Sequence, residues 1–204
     1  MRDEDEDEAH DNPDHDGGIQ TAVRVWFADP SAAKAKYGPI ASWDVSEVTE
    51  MRGLFNGATS FNGDLSRWNV SSVEDMNSMF SGATSFNGDL SRWNVSSVVH
   101  VSYMFHRATL FNGDLSRWNV SNVAHMSSMF GGATLFNGDL SRWNVSNVEA
   151  MSRMFHGATS FNRQLDGAWS TSTADKTYMF LNSPGTIAGR TKRAHGTICT
   201  YACC

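Results

Sequence analysis

The sequence predicts an α/β solenoid with one short parallel strand and one short helix per 25-residue turn. Three observations carry that prediction. Trp43, Trp68, Trp93, Trp118 and Trp143 recur at one constant interval, without drift. Each opens a copy of the pattern W-x-V-S-x-V-x-x-M-x-x-M-F-x-x-A-T-x-F-N-G-D-L-S-R. None of the four prolines (Pro13, Pro30, Pro39, Pro184) falls inside the repeats, and a parallel ladder needs every backbone N–H. A period of about 20–29 residues means units that bury their apolar faces against their neighbours. Five full repeats span 43–168. A degenerate sixth, 169–180, keeps only Met179-Phe180, one residue out of register with its own Trp169.

In the unit opened by Trp68, Leu65, Trp68 and Val70 follow the L-x-x-L-x-L spacing of a leucine-rich-repeat strand. Ser71 with Glu74 reads as a capping box. Val73, Met76, Met79, Phe80 and Ala83 then fall on one helical face, with Gly82 placed to close the helix. Phe86 turns inward and Asn87-Gly88 supplies the turn onward. Stacked strands would rise about 4.8 Å per unit.

Both ends of such a stack need covers. Residues 19–42 read as the N-terminal one: Ile19, Val23, Trp26 and Phe27 share a helical face, Asp29-Pro30 breaks it and Ser31 starts a second short turn. Residues 169–180 cover the other end, and 181–204 read as a loose tail ending in Cys199, Cys203 and Cys204. With no cysteine in the body, no disulfide framework or cysteine metal site is expected.

The 204 residues carry a formal net charge of −6, but nine of the acids sit in residues 1–16. The rest of the chain holds 13 acidic and 15 basic side chains, a net of +2. Residues 1–18 therefore read as an acidic disordered tail on a nearly neutral body. That start lacks a basic and then apolar leader, and no apolar run approaches the roughly 18–20 residues of a membrane span.

In a stack, equivalent positions form columns. With Trp and Val inward, the predicted sheet face presents Arg67, Arg92, Arg117 and Arg142, then Asn69, Asn94, Asn119 and Asn144, then Ser71, Ser96, Ser121 and Ser146. Planar guanidinium groups suit carboxylates and sulfates, so this face is the candidate binding surface for a protein or glycan ligand of anionic character. The competing reading is a self-neutralised ladder with Asp64, Asp89, Asp114 and Asp139, three residues before each Arg. The N-V-S triplets are also glycosylation sequons, though glycans on every rung would not fit at strand spacing. The Asn62, Asn87, Asn112, Asn137 and Asn162 column reads as structural, its amides bonding neighbouring coils.

His100 and His125 occupy equivalent sites, as do His106 and His156 two units apart; solvated side chains are the expectation, since no third metal ligand is fixed. The methionine columns read as core. No P-loop, G-x-S-x-G, H-E-x-x-H or G-x-G-x-x-G occurs, so no catalytic residue, cofactor or metal is expected. One arginine column without exposed aromatics and a body charge of +2 argue against nucleic acid.

The repeat W-N-V-S-x-V-x-x-M-x-x-M-F-x-x-A-T-x-F-N-G-D-L-S-x-W closely resembles that of BspA-type leucine-rich-repeat surface proteins, known also from mycoplasma and listerial surface lipoproteins. The segment TAVRVWFADPSAAKAKYGPIASWDVS is similar to the lead-in of algal versions. The resemblance spans about 19–180. It implies a non-catalytic, adhesin-like surface or secreted protein that engages host, matrix or other proteins; a monomer is the expected state. An intracellular interaction scaffold is the alternative, and a metal-dependent enzyme a more distant one.

Overall fold

The computed structural model describes residues 13–189. Two helices, α1 (Asp16–Ala28) and α2 (Pro30–Tyr37), precede a 3-10 turn (Ile40–Ser42), and then the coils begin. His15 Nδ1 accepts from the Gly18 N–H to start α1; Asp29 Oδ1 accepts from the Ser31 and Ala32 N–H groups to start α2, with Pro30 in its first turn. The helices lie over the first coil. Trp26 meets Trp43 edge-on at 6.0 Å, and Phe27 meets Phe55 and Phe61 at 6.1 Å. Residues 13–18, expected in the tail, include a buried Pro13 and the first turn of α1. The rest of the acidic stretch, residues 1–12, lies outside the described residues.

The coils stack in parallel, each one repeat further along the chain. Bridges run Glu50–Asp75–His100–His125–Ala150–Asp175. Ring columns fill the interior. Phe80, Phe105, Phe130 and Phe155 stack at 5.6 Å between neighbours. Trp93, Trp118, Trp143 and Trp169 stack at 6.4 Å. Every one of these rings is buried, and Met76, Met79 and Ala83 with their equivalents line the same core.

The helix expected in each repeat is absent. Residues 76–83 and their equivalents form consecutive turns. In the first coil Leu54, Asn56 and Ala58 donate backwards to Met51, Gly53 and Phe55, three residues earlier. The alternate N–H groups, of Met51, Gly53, Phe55 and Gly57, donate to Asp75, Asn77, Met79 and Ser81 of the next coil at 2.7–2.9 Å. Gly53 and Gly57 have φ of +64° and +73°, and the columns continue through Ser78 (+58°) and Gly82 (+71°). A positive φ at the third residue of a hydrogen-bonded turn is the type II geometry, and it cannot continue an α-helix. Two successive turns bury positions i, i+3, i+4 and i+7, the spacing of Met76, Met79, Phe80 and Ala83. A helical face has the same signature. An isolated helix of two or three turns is marginal in water, whereas the turns send every second N–H to a neighbouring coil.

The strand expected at Leu65–Val70 is corrected too. Backbone bonding between coils runs along the turn segment instead, and the Leu-Ser-Arg-Trp-Asn-Val segment is held by side chains. Trp93 Nε1 donates to the Leu65 carbonyl at 3.0 Å, and Trp118 and Trp143 repeat this on Leu90 and Leu115. Asn62 Oδ1 accepts from the Asn87 N–H, Asn87 from Asn112, and Asn112 from Asn137, each at 2.9 Å. These amides do bond neighbouring coils.

At the far end β1 (Gln164–Leu165) pairs in parallel with β2 (Thr186–Ile187), and α3 (Ala168–Thr171) sits between them in sequence. Residues 181–189, expected to trail, are therefore packed, with Ile187 and Ser183 buried. The three cysteines lie outside the described residues. Lys176 falls where the Met51, Met76, Met126 and Met151 column would continue. It is buried, and its Nζ donates to the Ser172 carbonyl at 2.6 Å and to Ser172 Oγ at 3.2 Å.

Candidate functional site

Arg67, Arg92, Arg117 and Arg142 are all exposed, each at the third residue of a Leu-Ser-Arg-Trp turn closed by a Trp N–H to Leu carbonyl bond of 3.1 Å. Their aspartate neighbours also close turns. Asp64, Asp89, Asp114 and Asp139 each accept from the backbone N–H two residues on, at Ser66, Ser91, Ser116 and Ser141. Asp64 is held below the usual carboxylate range first by the Ser66 hydroxyl and then by its N–H, with Arg67 the smallest contributor. At Asp89 and Asp114 the serine N–H leads, and Arg92 and Arg117 again contribute less. At Asp139 the serine bonds lead, followed by Arg163 and then Arg142. The carboxylates close turns, and the guanidinium column is left facing solvent.

Asn69, Asn94, Asn119 and Asn144 are exposed beside that column. Each Oδ1 accepts from the N–H of Ser71, Ser96, Ser121 or Ser146, at 3.2–3.3 Å. The first three of these serines are half-buried. Their carbonyls accept too: Ser71 from the Ser97 hydroxyl, Ser96 and Ser121 from the side-chain amides of Asn122 and Asn147. The arginines thus form the open part of the face, and the Asn and Ser columns build the turn beneath it.

His100 and His125 stack face to face at 5.1 Å. Among the described residues no cluster of three His, Cys, Asp or Glu could hold a metal ion.

A second concavity lies on the turn face, outside any column the sequence singled out for binding. It has a volume of about 670 Å³ and spans four successive coils. Tyr103, His106 and Arg107 line it from one coil, Arg153 and His156 from the coil two further on, and Tyr178 and Leu181 from the one after that. Ser128 and Gly131, both buried, line it from the coil between. Tyr103 meets His106 edge-on at 5.6 Å, and the Arg153 guanidinium sits over the Tyr178 ring at 5.7 Å. His106 Nδ1 is buried without a hydrogen-bond partner. Burial holds the His106 pKa down, Arg107 and His156 add to that, and the Gly131 backbone opposes it. A Cβ at Gly131 would stand 2.9 Å from His106 Nδ1, so the glycine makes room for the imidazole. The sequence signal was available: these are the turn positions where otherwise matching repeats change residue.

A family model matches residues 23–134 and again 102–188. Stacked coils with 25-residue periodicity define a repeat protein. The chain belongs to the family described as "Mycoplasma protein of unknown function, DUF285". No curated protein and no solved structure matches it. Among the described residues no helix is long and apolar enough to cross a membrane.

Proposed function

We propose that the protein is a non-catalytic recognition scaffold: a leucine-rich-repeat-like solenoid of the BspA type that binds an anionic protein or glycan partner through its arginine column. The observation that carries this reading is the state of Arg67, Arg92, Arg117 and Arg142. They recur at one exposed position per coil, and the neighbouring aspartates are held more by their serines than by these arginines. A row of planar forks at coil spacing, about 5 Å, suits a partner with repeated carboxylate or sulfate groups. The rigid stack orders these groups before binding, which lowers the entropy cost of engaging them. The repeat's likeness to surface proteins of the BspA type supports an adhesive role.

The test is to probe protein and acidic-glycan arrays with the whole chain and with Arg92→Glu/Arg117→Glu. Retained partners should be lost by the double variant at an unchanged melting temperature. Equal binding by the two proteins would remove the arginine column from recognition.

A further inference from the structure

The turn-face cleft is the feature that this reading leaves unused, and its backbone is the first clue. Tyr103, Arg107, Arg153 and Tyr178 have φ of +60°, +57°, +55° and +57°. The same two columns elsewhere hold Gly53, Gly57, Gly82, Gly132 and Gly157, and also Ser78, Ser128 and Asn182 at φ of +58°, +55° and +58°. An L-residue in this region costs about 1–2 kcal/mol relative to the ordinary helical basin, and glycine escapes that cost. Positive φ runs through the whole stack, and side-chain size sets the cleft apart: the four large side chains at these positions all line one concavity. Large polar and aromatic side chains grouped around one cavity point to a binding role.

Chemistry narrows the occupant. The lining holds two guanidinium groups and two imidazoles, and no carboxylate. Both tyrosines are exposed, Tyr103 at 45% and Tyr178 at 37%. Arg107 and Arg153 sit two coils apart, about 10 Å along the stack. We propose that this cleft binds a short segment of an acidic polysaccharide. The arginines take two anionic groups on non-adjacent sugars, and Tyr103 and Tyr178 pack against ring C–H faces at the two ends. Tyrosine suits that task because it presents a rigid apolar face with a polar tip. The occupied volume falls in the range of small-ligand clefts. The site is on a different face from the arginine column and stands whether or not that column binds anything.

The test uses the full chain in calorimetric titrations with a uronic-acid hexasaccharide, a sulfated hexasaccharide, a neutral hexasaccharide of matched length, a glutamate-rich peptide and inorganic phosphate. Binding of at least one acidic hexasaccharide is expected, at least tenfold tighter than the neutral one, the peptide or phosphate. Arg107→Ala and Arg153→Ala should each weaken it at least tenfold and Tyr103→Ala several-fold, at unchanged melting temperature. Gly131→Ala should weaken it as well, by displacing the His106 ring. Arg92→Glu/Arg117→Glu should leave this affinity as it was, which separates failure here from failure of the other face. No binding of either acidic hexasaccharide overturns the proposal. So does tighter binding of the peptide or phosphate, or equal affinity in the Arg107→Ala and Arg153→Ala variants.

Discussion

The two long faces of the stack bond one coil to the next by different means. On the turn face, which carries Met51–Gly57 and its equivalents, backbone N–H groups meet backbone carbonyls, four per coil. On the tryptophan face the backbone closes local turns, and side chains reach across: an indole N–H to a leucine carbonyl, an asparagine amide to the next asparagine N–H. The difference shows where sequence freedom lies. A backbone ladder tolerates many side chains, and the turn columns vary from Gly to Tyr to Arg. A side-chain ladder tolerates few, and the Trp, Asn and Leu columns hardly vary within the chain. Variation, and with it the cleft, accumulates on the backbone-bonded face.

The comparison can be broken most sharply at Trp93. Trp93→Ala removes a buried ring from the column and an acceptor's partner at Leu65, and should cost about 3–5 kcal/mol in chemical unfolding. Trp93→Phe keeps most of the ring and tests the hydrogen bond alone, with an expected cost of about 1–3 kcal/mol. A change near zero in Trp93→Ala would mean the indole column does not hold that face.

On the turn face Gly82→Ala meets no clash, because its Cβ would lie 3.6 Å from Gly57, an ordinary contact. Its cost should be the conformational one, about 1–2 kcal/mol, read as a lowered melting temperature. Asn112→Ala leaves an exposed N–H at Asn137 that water can reach, and about 1 kcal/mol is expected.

The smallest effect concerns acid. Asp89, Asp114 and Asp139 are held below the usual value of 3.8 by their serines. Their folded pKa lies under the unfolded one, so their stabilisation is full above about pH 4 and fades as pH falls through the folded values. Because these carboxylates are almost fully exposed, solvent screens most of the effect. Asp89→Asn/Asp114→Asn/Asp139→Asn should flatten the acid limb of a melting-temperature profile and leave the neutral region nearly unchanged. An unaltered acid limb would show that these bonds do not differ between the folded and unfolded chain.

Much of the interior was legible because burial depends on spacing alone. The columns of Trp68, Val70, Met76, Met79, Phe80 and Phe86 follow from period and polarity, and the Asn87 amide ladder follows from identical residues one repeat apart. The kind of local structure was not legible. Met76, Met79, Phe80 and Ala83 satisfy a helical face and a pair of turns equally well, and the capping box expected at Ser71 and Glu74 does not form, because the Glu74 N–H donates to the Thr49 carbonyl. The strand was assigned to Leu65–Val70 on its leucine-rich-repeat spacing, but Asp64 and Asn69 bond their own backbone there and compete with a sheet ladder. The cleft escaped because Tyr103 and Tyr178 lie three repeats apart in the chain, and only stacking brings them over Ser128.

By itself the sequence determined the repeat length, the identity of the buried columns and the outward direction of the arginines, since side-chain polarity at a fixed period leaves no other arrangement. Tertiary contact decided the rest. Whether an N–H bonds within its own coil or to the one beside it depends on a neighbour already being in place. That choice made turns out of apparent helices and exchanged the backbone-bonded face for the side-chain-bonded one.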